Sequence, residues 1–85
     1  MSISFLDRYQ AEPTWHGRAM IMEIYHLAMS HRNNQWTVAK TASHFNCSVG
    51  LVSENLKLAE AIHSNERLLN CESRQKALRR LNGYG

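Results

Sequence analysis

Between Trp15 and about His31 the chain runs without Pro and is rich in good helix formers. Met20, Ile21, Ile24, Tyr25, Leu27 and Ala28 fall within one broad stripe at a 3.6-residue period. That spacing predicts a helix whose buried face carries those residues. Trp15, Met22 and Met29, seven apart, form a thinner stripe on another side of the same helix. A covering N-terminal arm accounts for it, and so does a contact with a second subunit, since exposed apolar stripes mark interfaces. Upstream, Ile3, Phe5 and Leu6 are apolar, and Pro13-Thr14 is a helix start signal. Residues 1–14 are therefore expected to be an arm with one helical turn, packed back on a first core helix over 15–31. His31-Arg32-Asn33-Asn34-Gln35 reads as a polar connection.

From Trp36 the pattern changes. Thr37 is a good N-cap, and Val38, Ala42 and Phe45 form the inward face of a short helix. Asn46 follows, the commonest residue after Gly to take the left-handed conformation that ends a helix in a tight turn. Cys47 is small and apolar enough to plug the corner, and Ser48 caps a second helix running to about Ile62. On that helix Val52, Leu56 and Ala59 point inward, with Leu51, Leu58 and Ile62 widening the buried side. Val49, Gly50, Ser53, Glu54 and Lys57 point outward. Two helices joined by a three- or four-residue turn, with the small Ala42 at their crossing, make a helix-turn-helix over 37–62. Beyond it, Ser73 caps a helix with Ala77, Leu78 and Leu81 inward and Asn82-Gly83 at its end.

An 85-residue chain with 44% hydrophobic and 20% charged residues has room for one soluble all-α domain of four to five helices. One Pro and four Gly are too few for a turn-rich β-sandwich. No stretch is apolar for long enough to span a bilayer. MSISFLDRYQ places Asp7 and Arg8 where the apolar region of a secretion signal would run. A cytoplasmic location, with Cys47 and Cys71 as reduced thiols, is the expectation.

The net charge of +3 is unevenly placed. Through His63, Arg8, Arg18, Arg32, Lys40 and Lys57 balance Asp7, Glu12, Glu23, Glu54 and Glu60. The excess lies in the basic segment 64–85, where Arg67, Arg74, Lys76, Arg79 and Arg80 face only Glu66 and Glu72. Four cations after Glu72 could lie along a phosphate backbone or simply complement the end of a helix.

Trp36–Ile62 resembles the helix-turn-helix of the ParB-type partition and regulatory proteins. The likeness rests on Ala42, Phe45 before Asn46, Cys47-Ser48, Val52-Ser53 and the run Leu56-Lys57-Leu58-Ala59-Glu60-Ala61-Ile62. It continues more loosely through Ser73–Leu81, and it leaves out the N-terminal half of the chain. The resemblance implies that the second helix enters the major groove of double-stranded DNA. Ser48, Val49, Gly50, Ser53 and Lys57 would then meet bases or phosphates, with Glu54 accepting from cytosine N4. Thr37, Lys40, Arg74, Lys76, Arg79 and Arg80 are expected at phosphates, with help from Arg32 and His44. Helix-turn-helix modules often act as dimers, for which Trp15, Met22 and Met29 are the candidate contact.

No enzyme pattern accompanies these features. The chain has no phosphate-binding loop and no obvious pair of acid/base carboxylates. His44 and Cys47 fall within the turn region, and His44, Cys47, His63 and Cys71 match no common zinc spacing. No cofactor, metal or small-molecule substrate is expected. The expectation is a sequence-specific DNA-binding module in transcriptional regulation or partition. Its alternatives are the DNA-recognition domain of a phage small terminase, or a helix-turn-helix used for protein–protein contact.

Overall fold

The computed structural model describes residues 4–82. Its α-helices are α1 (Phe5–Ala11), α2 (Trp15–Arg32), α3 (Val38–Phe45), α4 (Val49–Ser64) and α5 (Arg74–Leu81), with a short 3-10 helix, Glu66–Asn70, before α5. No strand occurs among the described residues. The chain is a small all-α domain in which α3 and α4 follow one another through a tight turn. No described helix is long and apolar enough to cross a membrane.

Every α-helix opens on a Ser or Thr whose hydroxyl accepts from the backbone N–H three residues on. Ser4 does this for Asp7, Thr14 for Gly17, Thr37 for Lys40, Ser48 for Leu51 and Ser73 for Lys76, at 3.0–3.3 Å. Each cap satisfies a donor that the helix cannot, and contributes about 1 kcal/mol. The helix starts are therefore written locally in the chain, ahead of any tertiary contact.

The arm is more ordered than one turn. α1 has seven residues, and it lays Phe5 edge-on to Tyr25 at 5.5 Å and Tyr9 against Phe45 at 5.2 Å. Ile3 lies outside the described residues, as does Gly83. At the far end Ala77 is fully buried, and Leu78 and Leu81 pack beside it, as the spacing predicted.

Two apolar clusters hold the helices together. One gathers Met22, Tyr25, Ala42, Phe45 and Val52; the other gathers Leu58, Ile62, Leu68 and Ala77. α4 enters both, with Val52 in the first and Leu58 in the second. α2 does the same through Met22 and Trp15, so α2 and α4 are the spine of the domain.

The face that α2 buries differs from the one expected. Ala19, Met22, Glu23 and Tyr25 are buried, whereas Ile24 is 53% exposed, Leu27 59%, and Ala28 is also exposed. Met20 and Ile21 are half-buried. Two polar residues explain the rotation. Glu23 pairs with His63 Nε2 at 2.9 Å, and His26 Nδ1 meets the buried Thr41 hydroxyl at 2.6 Å, so both belong to the inner face despite their polarity. Trp15, Met22 and Met29 consequently do not form an exposed stripe. Met22 has no exposed surface, Met29 packs on the first cluster, and Trp15 packs on the second while its Nε1 donates to Cys71 O at 2.9 Å.

Met22→Ala should accordingly lower the unfolding free energy by about 2–5 kcal/mol in urea titrations. The native molar mass by light scattering should not change. A changed mass with unaltered stability would restore the interface reading.

Candidate nucleic-acid interface

Asn46 sets the geometry of the candidate interface. Its backbone is left-handed, φ 55° and ψ 50°, the one positive φ at a non-glycine residue among those described. Cys47 N–H donates to Ala42 O at 3.0 Å and Asn46 N–H to Ser43 O at 3.3 Å. These two bonds form a Schellman turn, which satisfies carbonyls that the end of α3 would otherwise leave open. The accompanying apolar contact is present, because Cys47 packs on the cluster that contains Ala42. Burial pushes the Cys47 thiol up from its ordinary pKa. Only residues 46–48 separate the helices, so α4 leaves the turn at a fixed angle to α3.

α4 then divides cleanly. Val52, Asn55, Leu58, Ala59 and Ile62 are buried, while Val49, Gly50, Ser53, Glu54, Lys57 and Glu60 are exposed, as is the capping Ser48. Leu51 and Leu56, expected on the buried side, are half-buried. Gly50 serves no packing need, since a Cβ placed there would meet nothing nearer than Ser48 Oγ at 4.0 Å. The result is a low, mostly polar ridge with an exposed Val49 at its leading end.

Thr37 caps α3 and Lys40 lies on its first turn. Thr37 and Lys40 are both exposed, and Lys40 Nζ lies 5.6 Å from the centre of the Trp36 ring. Trp36 Nε1 donates to Thr41 Oγ1 at 2.8 Å, so the ring carrying Lys40 is itself anchored. Arg32 is exposed at the end of α2. His44 is not free to help: its ring stacks on Tyr25 at 4.1 Å and its Nε2 is buried without a partner. Burial also raises the Tyr25 phenol.

The basic segment is less open than its composition suggests. Arg74 Nη1 donates to Glu54 Oε1 at 2.6 Å, a contact between α5 and the ridge that offsets the charge of this carboxylate, while Glu60 lies exposed on the same face. Lys76 pairs with Glu72 at 2.8 Å and, through that hydrogen bond first and its charge second, holds the Glu72 carboxyl below its usual range. Lys57 Nζ reaches Asn82 Oδ1 at 3.4 Å. Arg79 and Arg80 are exposed and form no side-chain bond among the described residues.

Sequence reasoning missed three buried polar residues, Thr41, Glu23 and Asn55. Each meets a partner on another helix, His26 for Thr41, His63 for Glu23 and Met22 for Asn55, and no local spacing announces such pairs. Both cysteines are free thiols, and among the described residues no group of three or more His, Cys, Asp or Glu could hold a metal ion. The chain matches no protein-family model, no curated protein and no solved structure.

The raised Cys47 pKa carries a reactivity consequence, because the thiolate is the nucleophile. At mildly alkaline pH iodoacetamide should alkylate Cys47 more slowly than it does free cysteine, as followed by peptide mass spectrometry. Denaturation in urea should remove the difference. Equal rates in the folded chain would contradict the buried-corner account.

Proposed function

We propose that the chain is a helix-turn-helix module that reads double-stranded DNA by placing the exposed face of α4 in the major groove. The observation that carries this reading is the tight Asn46 turn joined to a ridge whose leading turn presents Ser48, Val49 and Gly50 and no long side chain. A helix can read base edges only if its backbone approaches the groove floor. Gly50 gives that approach while costing up to about 1 kcal/mol of helix stability, and no packing requirement explains its presence.

The roles follow from chemistry. Ser48 accepts from Leu51 N–H, which leaves its own O–H for a phosphate. Val49 suits a thymine methyl, and Ser53 a base edge. Lys57, Lys40 and Thr37 suit phosphates. Glu54 approaches DNA as the Glu54–Arg74 pair, so the carboxylate comes with its own counter-charge. Arg79 and Arg80 add sequence-independent attraction that salt would screen, while Lys76 does so less because Glu72 offsets it. The likeness to ParB-type proteins makes transcriptional control or partition, in the cytoplasm of a bacterial or phage-infected cell, the preferred setting, with phage packaging the alternative. A second reading, protein–protein contact, draws on the exposed Ile24 and Leu27.

Gly50→Leu separates the readings without disturbing the fold, because the new side chain enters open space. Selection from a random pool of short duplexes should enrich a motif with the native chain, and binding should weaken steeply with salt. The Leu variant should be at least as stable and should lose about tenfold or more in affinity. Enrichment that survives this substitution, or no binding at low salt, would overturn the proposal.

A further inference from the structure

A cleft of about 300 Å³ opens where α1, α2, α4 and the start of α5 converge, lined by Tyr9, Trp15, Arg18, Leu51, Asn55 and Arg74. Two guanidinium groups from different helices share it. Arg18 donates its Nε to Glu12 O at 2.8 Å and lies 5.9 Å from the Tyr9 ring centre. Arg74 donates one Nη1 bond to Glu54. These contacts fix the two side chains, yet a guanidinium has five N–H donors and most of them remain available. Both arginines also line a neighbouring cleft of about 410 Å³ that includes His16 and Ser73, so the basic lining continues beyond the first opening.

The nearby carboxylates are already engaged. Glu54 is held by Arg74, Glu72 by Lys76, and Glu12 Oε1 accepts from both the backbone N–H and the hydroxyl of Thr14. Asn55 supplies an independent sign. It is 2% exposed in the middle of α4, its Oδ1 has no hydrogen-bond partner, and its Nδ2 has only a long 3.6 Å contact to Met22 Sδ. A buried amide left this poorly satisfied is costly unless something enters to complete it. Asn55 lines the cleft beside the two arginines.

We propose that this cleft binds a phosphate group. Two guanidinium forks match its several oxygens and its charge, the Asn55 amide gives a neutral hydrogen bond, and Tyr9 and Trp15 wall the site. At 100° per residue, Leu51 and Glu54 lie on the flank of α4 away from Val52 and Leu56, which pack in the cluster with α3. A phosphate here would border the flank of the ridge that carries Leu51 and Glu54. If the DNA reading holds, on which this choice of source rests, the phosphate belongs to the DNA backbone; otherwise it belongs to free phosphate or a phosphorylated small molecule.

The test is an NMR titration of the full, 15N-labelled chain at constant ionic strength, first with inorganic phosphate and then with a short DNA duplex. The Asn55 side-chain amide, the Trp15 indole N–H and the Arg18 and Arg74 Nε–H signals are the reporters. Phosphate should move them saturably, and Arg18→Gln or Arg74→Gln should weaken that binding about tenfold. A duplex that displaces the phosphate, with a salt slope about one unit shallower in each variant, identifies the DNA backbone as the source. Shifts with phosphate but not with the duplex keep the site and assign it to a small phosphorylated ligand, while counting against DNA binding. Cleft signals that stay still with both probes overturn the proposal, and if the duplex meanwhile moves the Ser48–Ser53 amides the DNA reading survives without it. The wild-type titration holds even if a variant unfolds.

Discussion

The architecture depends on a single left-handed residue. Asn46 reverses the chain at the end of α3, and its neighbours close two hydrogen bonds back onto Ser43 and Ala42. An L-residue in this conformation ordinarily costs about 1–2 kcal/mol, and Asn is among the few that adopt it routinely. Because only three residues join the helices, this turn fixes how α3 and α4 meet, and Ala42 and Phe45 can then share one cluster with Val52. The outward face of α4 is in that sense a product of the turn: with the inner residues committed, Val49, Gly50, Ser53 and Lys57 are left outside.

Polar groups inside the domain make the packing directional. Thr41, with no exposed surface, receives the Trp36 indole and meets His26, which ties α2, α3 and the connection before α3 to one hydroxyl. Glu23 and His63 do the same between α2 and α4. Apolar contacts are tolerant of rotation, whereas a buried oxygen must keep its partner or carry a desolvation cost of about 1–3 kcal/mol. These contacts therefore select one rotation of α2 among several that would bury similar apolar area. Ile24 and Leu27 stay outside as a result.

This division shows what was legible in the chain. Caps, turn and the inward residues of α5 were readable because each is a local matter: Thr37, Ser48 and Ser73 cap the next turn, and Asn46 ends the one before it. The rotation of α2 was not readable, because periodicity counts Glu23 and His26 as surface, and only their partners 40 and 15 residues away make them interior. The Glu54–Arg74 pair has the same character: the carboxylate stands beside a guanidinium supplied from 20 residues on. Arg18 and Asn55 escaped notice for the same reason, since their cleft is assembled from four separate helices. Residues of the candidate ridge, in contrast, occupy one stretch of one helix and could be named from spacing alone.

Electrostatics bounds any contact the domain makes. Of the cations after Glu72, Arg74 and Lys76 are offset by Glu54 and Glu72, so the attraction from this segment rests on Arg79 and Arg80. Such a surface suits a reader that depends on fit as much as on charge. The most direct measurement of the central claim is amide chemical-shift mapping during titration with the duplex that the chain selects. The account predicts the largest changes at Ser48, Val49, Gly50, Ser53 and Lys57, with smaller ones at Thr37 and Lys40. Changes centred on Ile24 and Leu27, or none along α4, would contradict it.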